Sequence, residues 1–215
     1  MQAFFTVNTI TELICLSICL FCLFRDKDIY WRSFMIYLFL VCAVEFTGIY
    51  LRLLHKSNYE LYTYFLVIEC TMVSCFFYRL YRKYHFKPSR LFSWLGLFMS
   101  IYGLELYTNH FSNFAYKTAA VMSVVFVVAS LYYYMLILRD EYFRKLESYP
   151  PFWIVNGILF FYFGSTACNV FFDYLMQDKI TSLGLSVRYV TFNILNVILY
   201  SCWSYAFICR YRQRN

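Results

Sequence analysis

Three glutamates stand inside long apolar stretches of the sequence, where a carboxylate is unexpected. They are Glu12, Glu45 and Glu69. A charged side chain at the centre of a bilayer costs roughly 2.5–3.5 kcal/mol on insertion scales, so such a residue usually faces a protein interior or a wet cavity. A carboxylate in that position can bind a proton, a cation or a ligand that donates hydrogen bonds. The three glutamates therefore predict a binding site within a membrane.

The composition indicates the elements that must position these side chains. The chain has 215 residues, of which 62% are hydrophobic and 14% are charged, and it contains only six glycines and three prolines. A helix that crosses the hydrocarbon core needs about 20 apolar residues. Such stretches predict an all-α integral membrane protein, a single domain over residues 1–215 that forms a seven-transmembrane-helix bundle. The expected helices cover residues 3–24, 31–54, 61–81, 91–107, 115–138, 152–176 and 186–209.

The basic residues predict the orientation of this bundle. Fourteen of the nineteen lysines and arginines fall in the loops after the first, third and fifth helices and in the C-terminal tail. By the positive-inside rule the N-terminus is outside and the C-terminus is cytoplasmic. The net charge of +7 is then explained by this rule and by a lipid bilayer partner with anionic lipid at its inner surface, so nucleic acid is not implied.

The three glutamates are expected at nearly one depth. Glu12 lies thirteen residues before Arg25, Glu45 thirteen after Arg32, and Glu69 ten before Arg79. At 1.5 Å per residue each is roughly 15–20 Å from the inner surface. The sequence thus predicts an outward-facing polar pocket lined by Glu12, Glu45, Glu69, Asn169, Asn193 and Asn196. Further out, the predicted mouth of the pocket has Arg52, Glu105, Lys117, Asp173 and Arg188.

A structural role is the alternative for each of these residues. Polar side chains also join transmembrane helices, through hydrogen bonds worth about 0.6 kcal/mol each. Salt bridges between Glu45 and Arg52, or between Glu105 and Lys117, would serve the same purpose.

The cysteines raise a similar choice between a site and packing. Cys15, Cys19 and Cys22 share one face of the first helix, which permits a thiol or metal site, but cysteine also packs as a small hydrophobe. All three histidines lie in predicted loops, so packing is favoured, and no cofactor or metal is predicted.

Enzymatic function is not indicated. The sequence has no HExxH, no GxSxG and no glycine-rich phosphate loop. The last helix has no lysine that could bind retinal. The inner half of the predicted bundle is mostly apolar, which favours a closed receptor over a channel or a transporter with an inner exit.

The chain resembles small seven-helix membrane proteins of Bacteroidota-type bacteria. The resemblance covers the whole chain and rests on diffuse features in the same order, namely Glu12, Glu45, Tyr50, Asn58, Tyr64, Glu69, the Pro-Phe-Trp start of the sixth helix at 151–153, Asn193, Asn196 and Tyr200. The resemblance implies a multi-pass protein of the cytoplasmic (inner) membrane of a bacterium. Such proteins often accompany sensor histidine kinases, so the resemblance also implies a role in signalling, by association.

Three hypotheses follow for the function. The first is a sensor or receptor module that binds an unknown small ligand, cation or proton and relays the change to a signalling partner such as a histidine kinase. The second is a proton- or cation-coupled transporter whose coupling ion binds the three glutamates. The third is a structural subunit of a membrane complex, in which the acids only join helices.

Overall fold

Seven α-helices make up most of the described chain. The computed structural model describes residues 6–84, 87–109, 114–139, 145–170, 179–180 and 185–214. The helices are α1 (Val7–Leu23), α2 (Ile29–Leu53), α3 (Tyr59–Arg82), α4 (Pro88–Asn109), α5 (Tyr116–Arg139), α6 (Pro150–Val170) and α7 (Val187–Arg214). A 3-10 turn at Leu146–Ser148 precedes α6, and two short strands, β1 (Lys179–Ile180) and β2 (Leu185–Ser186), pair antiparallel before α7.

Five of these helices are long and apolar enough to cross a membrane. They are Ile29–Leu53, Tyr59–Arg82, Tyr116–Arg139, Pro150–Cys168 and Tyr189–Arg214. The chain is therefore a multi-pass membrane protein, and the prediction of an all-helical membrane fold is confirmed at this level. Helix α1 is apolar but has only 17 residues, and α4, with 22 residues, is not among the five.

The helix boundaries follow capping chemistry more closely than hydropathy. The side chain of Thr6 accepts a hydrogen bond from the backbone N–H of Thr9 at the start of α1, and Asp28 accepts one from the N–H of Tyr30 at the start of α2. These are the usual positions and partners of helix N-caps. Helix α4 begins three residues earlier than predicted, at Pro88, because proline has no N–H to leave unpaired in a first turn. Residues 171–176, the predicted end of the sixth helix, lie outside the described residues.

The chain divides into two compact units. The first comprises Met1–Leu38 with Ser123–Asn215, and here α1 and α6 both pack against α7. Trp203 of α7 donates its indole N–H to the carbonyl of Ile154 at 3.3 Å. Next to this contact Gly157 lets the helices approach closely, since a Cβ there would lie 3.1 Å from the carbonyl oxygen of Leu199.

The second unit comprises Phe39–Met122, in which α3 packs against α4. Two polar contacts join these helices. The indole N–H of Trp94 donates to the hydroxyl of Ser74 at 2.9 Å, and the hydroxyl of Tyr102 donates to the carbonyl of Thr63 at 3.3 Å. Aromatic side chains with one polar atom thus satisfy hydrogen bonds while the rest of the ring packs in apolar surroundings.

Candidate functional site

Glu12 lies on the buried face of α1. Its side chain is 4% exposed, and the other buried residues of the helix are Thr9, Cys15, Cys19, Cys22 and Leu23. The spacing of three and four residues places most of them along one side of the helix. The face of α1 that carries Glu12 and the three cysteines is therefore buried.

Helix α1 runs parallel to α7, against which it packs. The C-terminal ends of the two helices meet, because the ring centroids of Phe21 and Tyr211 are 5.8 Å apart. Just after α1, Asp26 forms an ion pair with Arg210. Two packed helices whose C-terminal ends meet must extend in the same direction from that point.

This pairing gives the height of Glu12 along α7. Counting back nine residues on each helix from the Phe21–Tyr211 contact brings Glu12 level with Cys202. Counting back fourteen from the ion pair brings Glu12 level with Asn196. Since both helices rise about 1.5 Å per residue, Glu12 lies at the height of the α7 segment between these two residues.

Other hydrogen-bond acceptors lie on the same two helices. Asn8 is one turn before Glu12, and its Oδ1 is buried and accepts no hydrogen bond from the described residues. Asn193 and Asn196 are half-buried on α7. Asn169 lies in the last turn of α6, but its side chain is outside the described part of the structure. Three residues of the predicted pocket thus have described side chains in the first unit, namely Glu12 on α1 with Asn193 and Asn196 on α7, and Asn8 lies beside Glu12 on α1.

Glu45 is bound to a tyrosine of the neighbouring helix. Its Oε2 accepts a hydrogen bond of 3.0 Å from the hydroxyl of Tyr62 on α3. One turn along α2, Gly48 has no side chain to displace that tyrosine, because a Cβ there would lie 2.5 Å from the Tyr62 hydroxyl. In the described residues Tyr62, rather than the exposed Arg52, is the partner of Glu45. The expected salt bridge between Glu45 and Arg52 is therefore wrong, because Glu45 is hydrogen-bonded to Tyr62 instead.

Glu69 is half-buried on α3, seven residues after Tyr62. Two turns of helix separate these side chains by about 10 Å along the axis, although they lie on one face. Glu45 therefore meets α3 two turns away from Glu69. The predicted pocket draws on residues of both units, and it stays a prediction.

Glu105 binds the first turn of α5. The residue is 5% exposed, and its carboxylate accepts hydrogen bonds from the backbone N–H of Lys117 at 3.0 Å and of Thr118 at 2.7 Å. It also accepts one from the Thr118 hydroxyl at 2.6 Å. The amides at a helix start have no partner within the helix and attract negative charge. The predicted bridge to Lys117 is thus corrected, because the contact is made by its backbone N–H and the Lys117 side chain is exposed.

The side chains of the other four residues of the predicted mouth are either exposed or outside the described part of the structure. Arg52 and Lys117 are exposed. Asp173 lies outside the described residues, and Arg188 belongs to the first turn of α7 with a side chain that is not described.

The best-defined polar cluster of the first unit was not predicted. Arg210 of α7 binds Asp26 through Nε at 2.9 Å and Nη2 at 3.2 Å, and Arg214 lies 3.8 Å from the same carboxylate. The Asp26 carboxylate is 1% exposed and also accepts a hydrogen bond from the N–H of Asp28. Burial by itself raises the pKa of Asp26, but these hydrogen bonds and the two arginine charges outweigh it and hold that pKa below its usual value.

No protein-family model, curated protein or solved structure matches this chain.

The nine cysteines are free thiols, and seven of them are buried. The described residues contain no group of three or more His, Cys, Asp or Glu side chains placed to hold a metal ion. Cys15, Cys19 and Cys22 lie on the face of α1 that also carries Glu12, so they act as its packing surface.

Proposed function

We propose that the chain is a non-enzymatic, receptor-like module of a bacterial cytoplasmic membrane. In this proposal all seven helices span the bilayer, with the N-terminus outside and the C-terminus in the cytoplasm. The distribution of the basic residues supports this orientation. The module binds a proton, a cation or a small hydrogen-bond donor beside α1 and α7, and it acts on a signalling protein such as a sensor histidine kinase.

The observation that carries the proposal is the burial of Glu12, 4% exposed on a helix of apolar residues and thiols. A buried carboxyl group within a membrane is a functional candidate by default. The buried Oδ1 of Asn8 lies one turn away. Two oxygen acceptors in apolar surroundings favour a positively charged or proton-donating ligand.

The same helix connects this region to the cytoplasmic side. Asp26 follows α1 directly and is held by Arg210 and Arg214 in the last turns of α7. The side chain of Gln213 donates to the carbonyl of Ser148 at 2.7 Å, in the turn before α6. A change in the packing of α1 against α7 therefore reaches the segment after α5 through direct contacts.

Amide hydrogen exchange of the full chain in lipid nanodiscs tests the proposal. The probes are protons, Na⁺, K⁺ and Ca²⁺. For protons, exchange at acidic pH is compared with exchange at neutral pH after correction for the intrinsic pH dependence of amide exchange. We expect one probe to change the exchange of α1 and of the end of α7. The change should be lost in Glu12→Gln and retained in Glu60→Gln, which neutralises an exposed glutamate of α3. Equal responses in all three proteins would refute a binding site at Glu12. The absence of any response would exclude a proton and these three cations as its ligand.

A flux assay separates the receptor from a transporter. Liposomes with an internal pH dye, under an imposed potential and pH gradient, are compared for the wild type, Glu12→Gln and Glu69→Gln. The proposal expects no flux from any of them. A flux that is lost in either variant would replace the receptor by an ion-coupled transporter. Loss of assembly or stability in the variants, with neither flux nor an exchange response, would favour a structural subunit.

A further inference from the structure

The end of α1 and the end of α7 form a cationic surface. We call the exposed lysines and arginines of this region the basic rim, which consists of Arg25, Lys27, Arg32, Arg212 and Arg214. The first three belong to the loop after α1 and to the first turn of α2, and the other two belong to the last turn of α7. All of them lie in the first unit.

Contacts of Asp26 bring the two parts of the rim together. Asp26 stands between Arg25 and Lys27 in the chain, and its carboxylate is within 4 Å of Arg210 and Arg214. Arg25 and Lys27 are therefore adjacent in the chain to an aspartate whose carboxylate contacts two arginines at the end of α7. Two segments far apart in the sequence form one surface.

The two acids of the loop after α1 point towards the end of α7. Asp26 is buried and directed at Arg210. Asp28 is half-buried, caps α2 through the N–H of Tyr30 and lies 3.9 Å from Arg210. The negative charges of Asp26 and Asp28 are thus turned towards Arg210, which is half-buried, and the exposed charges that remain on these segments are positive.

Aromatic side chains lie beside the rim. Phe21 and Phe24 are 76% and 72% exposed at the end of α1. The ring of Phe21 is 5.8 Å from that of Tyr211, and the guanidinium of Arg214 is 5.8 Å from the centre of the same tyrosine ring. Exposed apolar rings next to guanidinium groups match the boundary between acyl chains and headgroups.

We propose that the basic rim binds the headgroup of an anionic phospholipid, whose acyl chains lie against Phe21 and Phe24. Arginine binds phosphate oxygens with two parallel hydrogen bonds, and basic residues at the membrane surface attract anionic lipids. This site is independent of the ligand proposed beside Glu12. Its function is to fix the end of α1 and the end of α7 at the membrane surface.

Native mass spectrometry of the full chain tests this proposal. The protein is purified in detergent and titrated with phosphatidylglycerol or with phosphatidylcholine, and the bound lipid is counted. The test variant is Arg25→Gln/Lys27→Gln/Arg32→Gln. The control is Arg52→Gln/Lys56→Gln/Lys117→Gln, which removes the same charge from exposed residues of the second unit.

We expect the wild type to retain phosphatidylglycerol in preference to phosphatidylcholine. The test variant should lose this affinity by about tenfold or more, whereas the control should keep it. Equal retention of the two lipids, or an equal loss in both variants, would overturn the proposal. Competition by inorganic phosphate at concentrations that leave phosphatidylcholine binding unchanged would show a simple anion site, and it would overturn the assignment to lipid.

A second measurement does not depend on the folding of the variant. Retention of phosphatidylglycerol by the wild type is measured from low to high KCl concentration. The proposal expects retention to fall steeply with salt, because an exposed ionic contact is screened. Retention that does not change with salt would contradict binding through the basic rim.

Discussion

The carboxylate of Asp26 lies 2.9 Å from Nε of Arg210, and the two residues are 184 positions apart in the chain. The guanidinium of Arg210 also lies over the ring of Trp31, with 5.5 Å to its centre. This one arginine therefore ties the end of α7 to the loop after α1 and to the first turn of α2. These direct contacts join the ends of α1 and α7 to the start of α2.

Loss of the Asp26 charge should destabilise the protein. In Asp26→Asn the remaining amide can accept only part of the hydrogen bonds that Arg210 and Arg214 now donate. Hydrogen bonds to charged groups contribute about 1.5–3 kcal/mol, so we expect a loss of that order in the free energy of unfolding. Thermal unfolding in detergent measures it. Asp28→Asn is the control and should change little, since asparagine also caps helices.

The contribution of Asp26 should disappear in acid. Its pKa in the folded protein is lowered, while an unfolded aspartate titrates near about pH 3.9. The stability that it contributes is therefore complete above that pH and is lost as the pH falls through the lower, folded-state pKa. The stability difference between the wild type and Asp26→Asn should be constant from about pH 5 to pH 7 and should shrink below about pH 4. A stability difference between the two proteins that grows in acid would contradict a lowered pKa of Asp26.

Glu105 should matter for stability and Lys117 should not. Glu105→Gln replaces an acceptor by an amide N–H₂ that faces the N–H donors of α5, and we expect a loss of about 1–3 kcal/mol. Lys117→Gln keeps the backbone N–H that makes the contact, so its effect should be within about 0.5 kcal/mol. Unfolding of the two variants under the same conditions gives the comparison. Equal losses of unfolding free energy in the two variants would indicate that the Lys117 side chain does form a salt bridge with Glu105.

Glu45 and Tyr62 should be energetically coupled. A double-mutant cycle with Glu45→Gln and Tyr62→Phe isolates their hydrogen bond, for which about 0.6 kcal/mol is expected between membrane helices. The measurement is the free energy of unfolding of the four proteins. A coupling near zero would mean that the contact does not stabilise the fold and would return Glu45 to the candidates for a binding site.

Gly157 should tolerate a methyl group less well than Gly96. In Gly157→Ala the new Cβ would lie 3.1 Å from the carbonyl oxygen of Leu199 and 3.1 Å from Cδ1 of Trp203. Backbone atoms cannot move away easily, so we expect a loss of about 1–3 kcal/mol. Gly96 has nothing within 4 Å of such a Cβ, and Gly96→Ala should be neutral or stabilise by up to about 1 kcal/mol. Thermal unfolding of both variants distinguishes the sites.

Most of the helical architecture was predictable because its cause is local. A helix that enters a bilayer needs a continuous apolar segment, and the hydropathy of neighbouring residues records it. The seven predicted segments correspond to seven helices in the described residues, with differences of a few residues at the ends. Pro88 and Asp28 explain two of these ends, and their capping chemistry is visible in the sequence.

The partners of the polar residues were not predictable in the same way. A sequence gives the depth of Glu45 and Glu105 along their helices, but the rotation of each helix decides which neighbour a side chain meets. That rotation depends on the packing of many side chains from distant segments. The nearest base in the sequence therefore suggested Arg52 and Lys117, whereas the structure has Tyr62 and the backbone of α5.

The sequence by itself determined that this chain is a helical membrane protein with acids in apolar segments. Only the tertiary structure decided that Glu12 is buried at the height of the α7 segment between Asn196 and Cys202 and that Asp26 is bound by Arg210. Asp26 looked like one charge among the bases of a loop, because sequence distance carries no information about contacts across 184 residues. Hydropathy is a property of a single segment and can be calculated from the sequence. A hydrogen bond needs a donor and an acceptor at the right distance, and only the packing of the whole chain determines where both atoms lie.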